Sequence, residues 1–159
     1  MEIKKILYAT DLSTGSELSF HSAMEMAKKF DARLVVLHVI EELTPSTVSM
    51  LQWVQADKIT KKHYDDFKAY SVDKIRASIQ EICDKEIALD PACRQRIESI
   101  HVVIGYPADE ILNKLDELNC DAVIMGTHSK GAIAHTFLGS VAERVLRRVK
   151  KPAFVFPST

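Results

Sequence analysis

The residues whose types and spacing could do chemistry lie in a polar segment, 125–143, that follows an apolar run. Gly126 could supply a tight turn and a close backbone approach to a ligand. Gly139 and Ser140 stand where a helix is expected to start, and there the unpaired N–H groups and the helix dipole favour an anion. His128 and Lys130 could add donors. A polyphosphate would therefore fit between the two glycines.

Ser140 also has a purely structural interpretation. The run Ser140-Val141-Ala142-Glu143 has the S-x-x-E form of a capping box, in which the serine closes the helix without any ligand. From the residues alone, capping and phosphate binding both stay open. The chain has neither G-x-x-x-x-G-K-[ST] nor G-x-G-x-x-G, which argues against a P-loop and against a dinucleotide site of that type.

Short apolar runs predict strands, and the segments between them carry apolar residues at helical spacing. Residues 34–39 are apolar apart from His38, as in a central parallel strand buried on both faces, so we expect His38 to be a hydrogen-bonded core residue. Residues 41–56 are expected to form a loop with a helical turn near Trp53. The predicted strands are 6–9, 34–39, 100–104, 122–125 and Ala153–Phe156.

Strands that alternate with helices imply βαβ crossovers and a parallel sheet with helices on both faces. Ligands of such open sheets bind at the carboxyl ends of the strands, where the strand order reverses. The loops after Ala9, Val39, Ile104 and Met125 are therefore the candidate ligand-binding loops. A length of 159 residues suits a single domain, 1–159.

Composition and charge are those of a soluble globular protein, with 47% hydrophobic residues, 27% charged residues and a net charge of −1. This balance favours neither nucleic acid nor an anionic membrane as a partner. No run approaches the ~20 apolar residues of a membrane span, and the first residues lack the apolar core of a signal peptide. The three cysteines have no C-x-x-C spacing, so they predict neither a disulfide framework nor a zinc site. We expect a cytoplasmic protein.

The segment 125–143 resembles the universal stress protein signature, G-x2-G-x9-G-[ST]. Gly126 matches its first glycine, and Gly139 with Ser140 match its end at the correct spacing. Ser129 replaces the second glycine. A serine restricts positive φ, but its hydroxyl can donate to a phosphate oxygen. The resemblance continues along the chain, in residues 4–13, 37–39, 105–107, 140–145 and 152–156.

The resemblance implies an open five-stranded parallel sheet of order 3-2-1-4-5, Rossmann-like and of the adenine nucleotide alpha hydrolase type. It also implies an ATP site, with Mg²⁺ or Mn²⁺ as the cation that could accompany the nucleotide. Asp11 would contact the ribose, Thr10 would shape that pocket, and Val39 would face adenine through its backbone. On the residues alone, Asp11 is equally a loop or cap residue. The phosphates would be surrounded by Gly126, His128, Ser129, Gly139, Ser140 and Val141, and Met125 would be a further nucleotide-binding residue.

The function that the resemblance implies is ATP-dependent regulation in a stress response, and two alternatives stay open. One is a slow ATPase, which needs a metal and a group that orients the attacking water; His128 is the one candidate, and no catalytic residue is assigned. The other is a nucleotide-free structural or chaperone-like dimer. The apolar strand Ala153–Phe156 is expected at the sheet edge, where unpaired strands associate, and the resemblance implies a homodimer through it.

The departure at Ser129 can be tested by Ser129→Gly. If the hydroxyl holds a phosphate, as we expect, the glycine variant binds ATP less tightly than the wild type, as measured by isothermal titration calorimetry. Tighter binding would show that the serine only hinders the loop, and equal affinity would show that it plays no part in binding.

Overall fold

Parallel strands form one sheet, and the first strand of the chain lies at its centre. The computed structural model describes residues 2–13, 15–42, 46, 49, 61–127 and 138–157. The strands are β1 (Lys5–Ala9), β2 (Arg33–Glu41), β3 (Ile97–Gly105), β4 (Ala122–Gly126) and β5 (Ala153–Phe156). They lie in the order β3-β2-β1-β4-β5, and each neighbouring pair is parallel. This confirms the predicted order 3-2-1-4-5.

Helices lie on both faces of the sheet, as predicted. They are α1 (Ser16–Phe30), α2 (Lys61–Leu89), α3 (Pro107–Glu117) and α4 (Ser140–Arg148), and a 3-10 turn (Pro91–Gln95) joins α2 to β3. One core packs α1 and α2 against residues such as Ile6, Tyr8 and Ile124, while the other packs α3 and α4 against Leu7 and Val123. Both faces of the central strands are thus buried, which explains why these strands are almost entirely apolar. Among the described helices, none is long and apolar enough to cross a membrane.

Strand β3 is longer than its apolar run predicted. It begins at Ile97 rather than at residue 100, because Glu98 and Ser99 also belong to the strand. β3 is an edge strand, so its polar residues can meet solvent, and a search for apolar runs stops too late. Trp53 and most of the segment 41–56 lie outside the described residues.

A carboxylate between α3 and β4 fixes where β1 begins beside β4. Asp121 Oδ2 accepts hydrogen bonds from the backbone N–H groups of Lys4, at 2.8 Å, and Lys5, at 2.9 Å. The backbone N–H of Asp121 in turn donates to the Lys5 carbonyl at 2.7 Å. These bonds join residues that are more than a hundred positions apart in the chain, and they set the pairing of the two strands from whose carboxyl ends the candidate loops emerge.

We expect Asp121→Ala to lower the free energy of unfolding by about 1–3 kcal/mol, because two backbone donors lose a charged acceptor. Urea denaturation followed by circular dichroism measures this change. Asp73→Ala is the matched control, since Asp73 is exposed on α2 and the same change there should alter stability by less than about 0.5 kcal/mol. Equal stability of the two variants would contradict the assignment.

Candidate functional site

A cavity of about 700 Å³ opens at the carboxyl ends of the strands, a size in the range of small-molecule sites. It lies between the ends of β1 and β4. After β1 the chain enters α1 on one face of the sheet, whereas α4, which follows β4, lies on the other face. This is the reversal of strand order at which open α/β sheets bind ligands.

Every described residue of the predicted site lines this cavity. These residues come from the carboxyl ends of three strands, β1, β2 and β4, and from the start of α4. His128 and Ser129 lie outside the described residues, as does Lys130. The residues that line the cavity as predicted are Thr10, Asp11, Val39, Met125, Gly126, Gly139, Ser140 and Val141.

The loop after β1 is held by its own side chains. Thr10 Oγ1 accepts a hydrogen bond from the Leu12 N–H at 3.1 Å, and Asp11 Oδ1 accepts one from the Ser13 N–H at 2.9 Å. Leu12 adopts a left-handed conformation with φ 56°, which costs a residue with a Cβ about 1–2 kcal/mol. The two side-chain bonds help to offset that strain. The Asp11 carboxylate keeps further acceptor capacity for a ligand, because an ionised carboxylate has about four lone-pair sites.

The β1–β2 ladder stops at the cavity. Its last bond runs from the Thr10 N–H to the Leu37 carbonyl at 2.9 Å, whereas β2 continues beside β3 to Glu41. The groups that would extend the ladder have other partners: the Leu12 N–H donates to Thr10 Oγ1, and the Thr10 carbonyl accepts from His38 Nδ1 at 2.8 Å. Val39 lies two residues beyond Leu37, so its N–H and C=O point to the same side, towards the cavity.

His38 was expected to be a hydrogen-bonded core residue, and this prediction is half right. It is hydrogen-bonded, but it is only half-buried and it lines the cavity. Because a carbonyl can only accept, Nδ1 carries the proton in the bond to Thr10. The sequence did not indicate that His38 would line a cavity. His38 lies beyond the last residue of β2 that pairs with β1, and an apolar run does not show where the pairing of two strands ends.

The connection between β4 and α4 begins and ends at two residues that are hydrogen-bonded to each other, Thr127 and Gly139. Gly126 is the last residue of β4 and pairs with Phe156. The Thr127 N–H donates to the Phe156 carbonyl at 2.9 Å, and the Thr127 carbonyl accepts from the Gly139 N–H at 2.6 Å. The expectation of a tight turn at Gly126 was wrong, because this residue extends the sheet. Its φ is not positive, since Gly15 is the one described glycine with a positive φ.

The start of α4 also differs from the capping-box prediction. Gly139 is the N-cap, with φ −60° and ψ 150°, and among the described residues no side chain caps the helix. Ser140 is already the first helical residue, and the Glu143 carboxylate pairs with Arg147 at 2.6 Å instead of reaching back. The first N–H groups of a helix have no intrahelical acceptor. Those of α4 therefore lie uncapped in the cavity wall, which includes Ser140, Val141 and Ala142.

Several cavity residues were missed by the sequence prediction. Tyr106 is 53% exposed at the mouth, beside the first turn of α3. Arg144 and Arg148 lie on α4, and Arg148 forms an ion pair with Asp109 of α3. The two arginines follow Ser140 at intervals of four residues, so helical spacing from the predicted anion site would have found them.

Tyr8 forms part of the cavity floor rather than a reactive group. Its ring is buried against Phe20, with ring centroids 5.6 Å apart, and its hydroxyl donates to the Ser16 carbonyl at 3.3 Å. Burial raises the pKa of Tyr8 to about 12, so it stays protonated near neutral pH. Within the described residues, no group of three or more His, Cys, Asp and Glu side chains could hold a metal ion.

The open parallel sheet, with helices on both faces and a cavity at its switch point, places the chain in the doubly wound α/β class. The chain belongs to the universal stress protein family, whose model matches residues 2–157. One relative is the universal stress protein MJ0577 of Methanocaldococcus jannaschii, 28% identical over 156 residues that cover 96% of this chain and 93% of the relative. The solved structure of MJ0577 has a TM-score of 0.71 at 24% identity, over 99% of this chain and 97% of that one.

Two other solved structures share the fold and contain an adenine nucleotide. A universal stress protein in complex with cAMP has a TM-score of 0.58 at 19% identity, over the whole of both chains, 100% and 100%. The universal stress protein from Archaeoglobus fulgidus in complex with dAMP has a TM-score of 0.53 at 19% identity, over 98% of each chain.

Proposed function

We propose that the protein is an ATP-binding regulator of the stress response whose nucleotide occupies the cavity between β1 and β4. The observation that carries the proposal is the uncapped start of α4, which contributes Ser140 and Val141 to the wall of a cavity of about 700 Å³. Unpaired helical N–H groups and the positive end of the helix dipole are a preferred environment for phosphate.

The opposite wall suits a nucleoside. The N–H and C=O of Val39, which point towards the cavity, form a donor and acceptor pair of the kind that matches the edge of adenine. Ala108 and Ile111 of α3 add apolar surface to the same cavity. Asp11, on the loop after β1, lines the same cavity and would accept a ribose hydroxyl. The three parts of the site thus correspond to base, sugar and phosphate.

The cAMP and dAMP complexes of two proteins with the same fold support an adenine nucleotide as the ligand class. ATP is the member that we propose, because the signature-like segment 125–143 ends at the uncapped helix. An accompanying Mg²⁺ or Mn²⁺ would be held mainly by phosphate oxygens and water, the usual arrangement for Mg²⁺ with nucleotides.

We propose a cytoplasmic location for this activity, where ATP is available. The three cysteines are free and buried, as expected of a protein in a reducing compartment. Burial raises the pKa of Cys83 to about 12 and that of Cys120 to about 11, so both thiols stay protonated and unreactive.

Gly139→Val tests the site. A valine side chain at the N-cap would stand between the ligand and the helix N–H groups, so we expect the ATP-dependent rise in melting temperature to disappear. The apo melting temperature should stay close to that of the wild type, because φ −60° and ψ 150° suit any residue. A Gly139→Val variant that binds ATP as the wild type does would contradict the proposal.

Asp11→Ala should weaken ATP binding by about 1.5–3 kcal/mol, because the ribose would lose a charged hydrogen-bond acceptor.

Mass spectrometry of gently purified wild-type protein distinguishes nucleotide binding from the nucleotide-free alternative. Co-purified adenine nucleotide is expected. If the protein shows no co-purified nucleotide and no ATP-dependent thermal shift, the nucleotide-free dimer is the remaining alternative. Release of phosphate that Gly139→Val abolishes would instead favour a slow ATPase.

We also propose a homodimer through β5, which lies at the sheet edge as predicted. The Val123 N–H donates to Pro152 and the Thr127 N–H donates to Phe156, so residues with even numbers in β5 face β4. The backbone groups of Ala153 and Val155 consequently point to the open edge. An uncharged, apolar edge strand favours pairing with a second copy about a two-fold axis.

The dimer is tested better by a backbone change than by charges on the phenylalanines. Phe154 and Phe156 pack against the core beneath α1, and the ring centroids of Phe154 and Phe30 are 6.1 Å apart, so aspartates there would also destabilise the protomer. Val155→Pro removes one outward N–H and leaves the β4 ladder intact. We expect light scattering at micromolar concentration to report a dimer for the wild type and for Val155→Ala, and a monomer for Val155→Pro. A monomeric wild type would refute the proposal.

A further inference from the structure

Helix α4 presents three different faces to its surroundings. Ala142 and Val145 are buried in the core, and Glu143 with Arg147 forms an exposed ion pair. The third face, formed by Ser140, Arg144 and Arg148, lines the cavity. These three residues are spaced by four, so they form one stripe that starts at the uncapped end of the helix.

The two arginines of this stripe differ in their partners. Arg148 is paired with Asp109 in the first turn of α3, so its charge is largely compensated. Arg144 forms no ion pair or hydrogen bond with any residue in the described part of the chain. It is therefore a cation in the cavity wall whose charge and five N–H donors are available to a ligand.

The direction of the Arg144 side chain connects it to the start of α4. Side chains on a helix point back towards the N-terminus and cover the preceding turn. For Arg144 that turn contains Ser140 and Val141, whose uncapped N–H groups lie about 6 Å back along the helix axis. A fork of guanidinium donors next to helical N–H groups suits the oxygens of a phosphate.

We infer that Arg144 is a side-chain phosphate ligand of the cavity and makes the site favour nucleotides with more phosphate charge. This inference rests on the proposed nucleotide site and adds a specificity-determining residue to it. Backbone N–H groups and the helix dipole supply partial charges, whereas Arg144 supplies a full one. Its contribution should therefore grow with the charge of the ligand, from none for adenosine, through AMP, to its largest value for ATP.

The experiment measures Kd for ATP, AMP and adenosine by isothermal titration calorimetry, with wild type and three variants. Arg144→Gln should weaken ATP binding about tenfold or more, weaken AMP binding less, and leave adenosine binding unchanged. Arg144→Lys should recover part of the loss, because it keeps the charge without the planar fork. Arg147→Gln is the matched control on the same helix, and we expect it to change none of the three constants.

Each contrary result has a distinct meaning. If ATP and AMP bind to the wild type but Arg144→Gln leaves the ratio of their Kd values unchanged, the inference is wrong and the proposed function stands. If Arg144→Gln weakens adenosine as much as ATP, the residue acts on the fold of the site and not on phosphate. If the wild type binds none of the three ligands, the proposed function fails, and the inference fails with it.

Discussion

The hydrogen bond from the Thr10 N–H to the Leu37 carbonyl is the last bond between the two central strands, and the cavity depends on its being the last. Beyond it, the Thr10 side chain binds the Leu12 N–H and His38 binds the Thr10 carbonyl. Each group that could have extended the ladder is thereby satisfied within the loop, as buried backbone groups require. The sheet can open at this point without leaving these backbone groups after β1 unpaired, and the end of β2 lines the cavity.

A second constraint positions the start of α4 in the wall of the cavity. The Gly139 N–H is held by the Thr127 carbonyl, which fixes the start of α4 at the end of β4. Because the helix begins on a glycine without a side-chain cap, its first N–H groups are left to solvent or ligand. Both walls of the cavity therefore present backbone groups, and side chains such as Asp11 and Arg144 add charge to that backbone frame.

Much of this fold could be predicted from the sequence, and the misses have physical reasons. The apolar runs located the strands because a central parallel strand must be apolar on both faces, but the start of β3 was missed because an edge strand tolerates Glu98 and Ser99. Glycine and serine at 139 and 140 correctly predicted the start of α4, although the capping box was wrong: sequence spacing cannot tell whether the glycine or the next serine is the N-cap. Tyr106 and Asp109 were missed because α3 meets α4 only in three dimensions.

The bond between Thr127 and Gly139 has a consequence for how this chain tolerates change. It joins the two ends of the connection between β4 and α4 directly. The end of β4 and the start of α4 are therefore held together by a bond that does not involve the residues between them. The entropic cost of closing a connection between two fixed ends rises by only about 0.6 kcal/mol when its length doubles. Insertions in that connection should thus be compatible with an unaltered sheet, and a reporter peptide could be grafted there at little expense to folding.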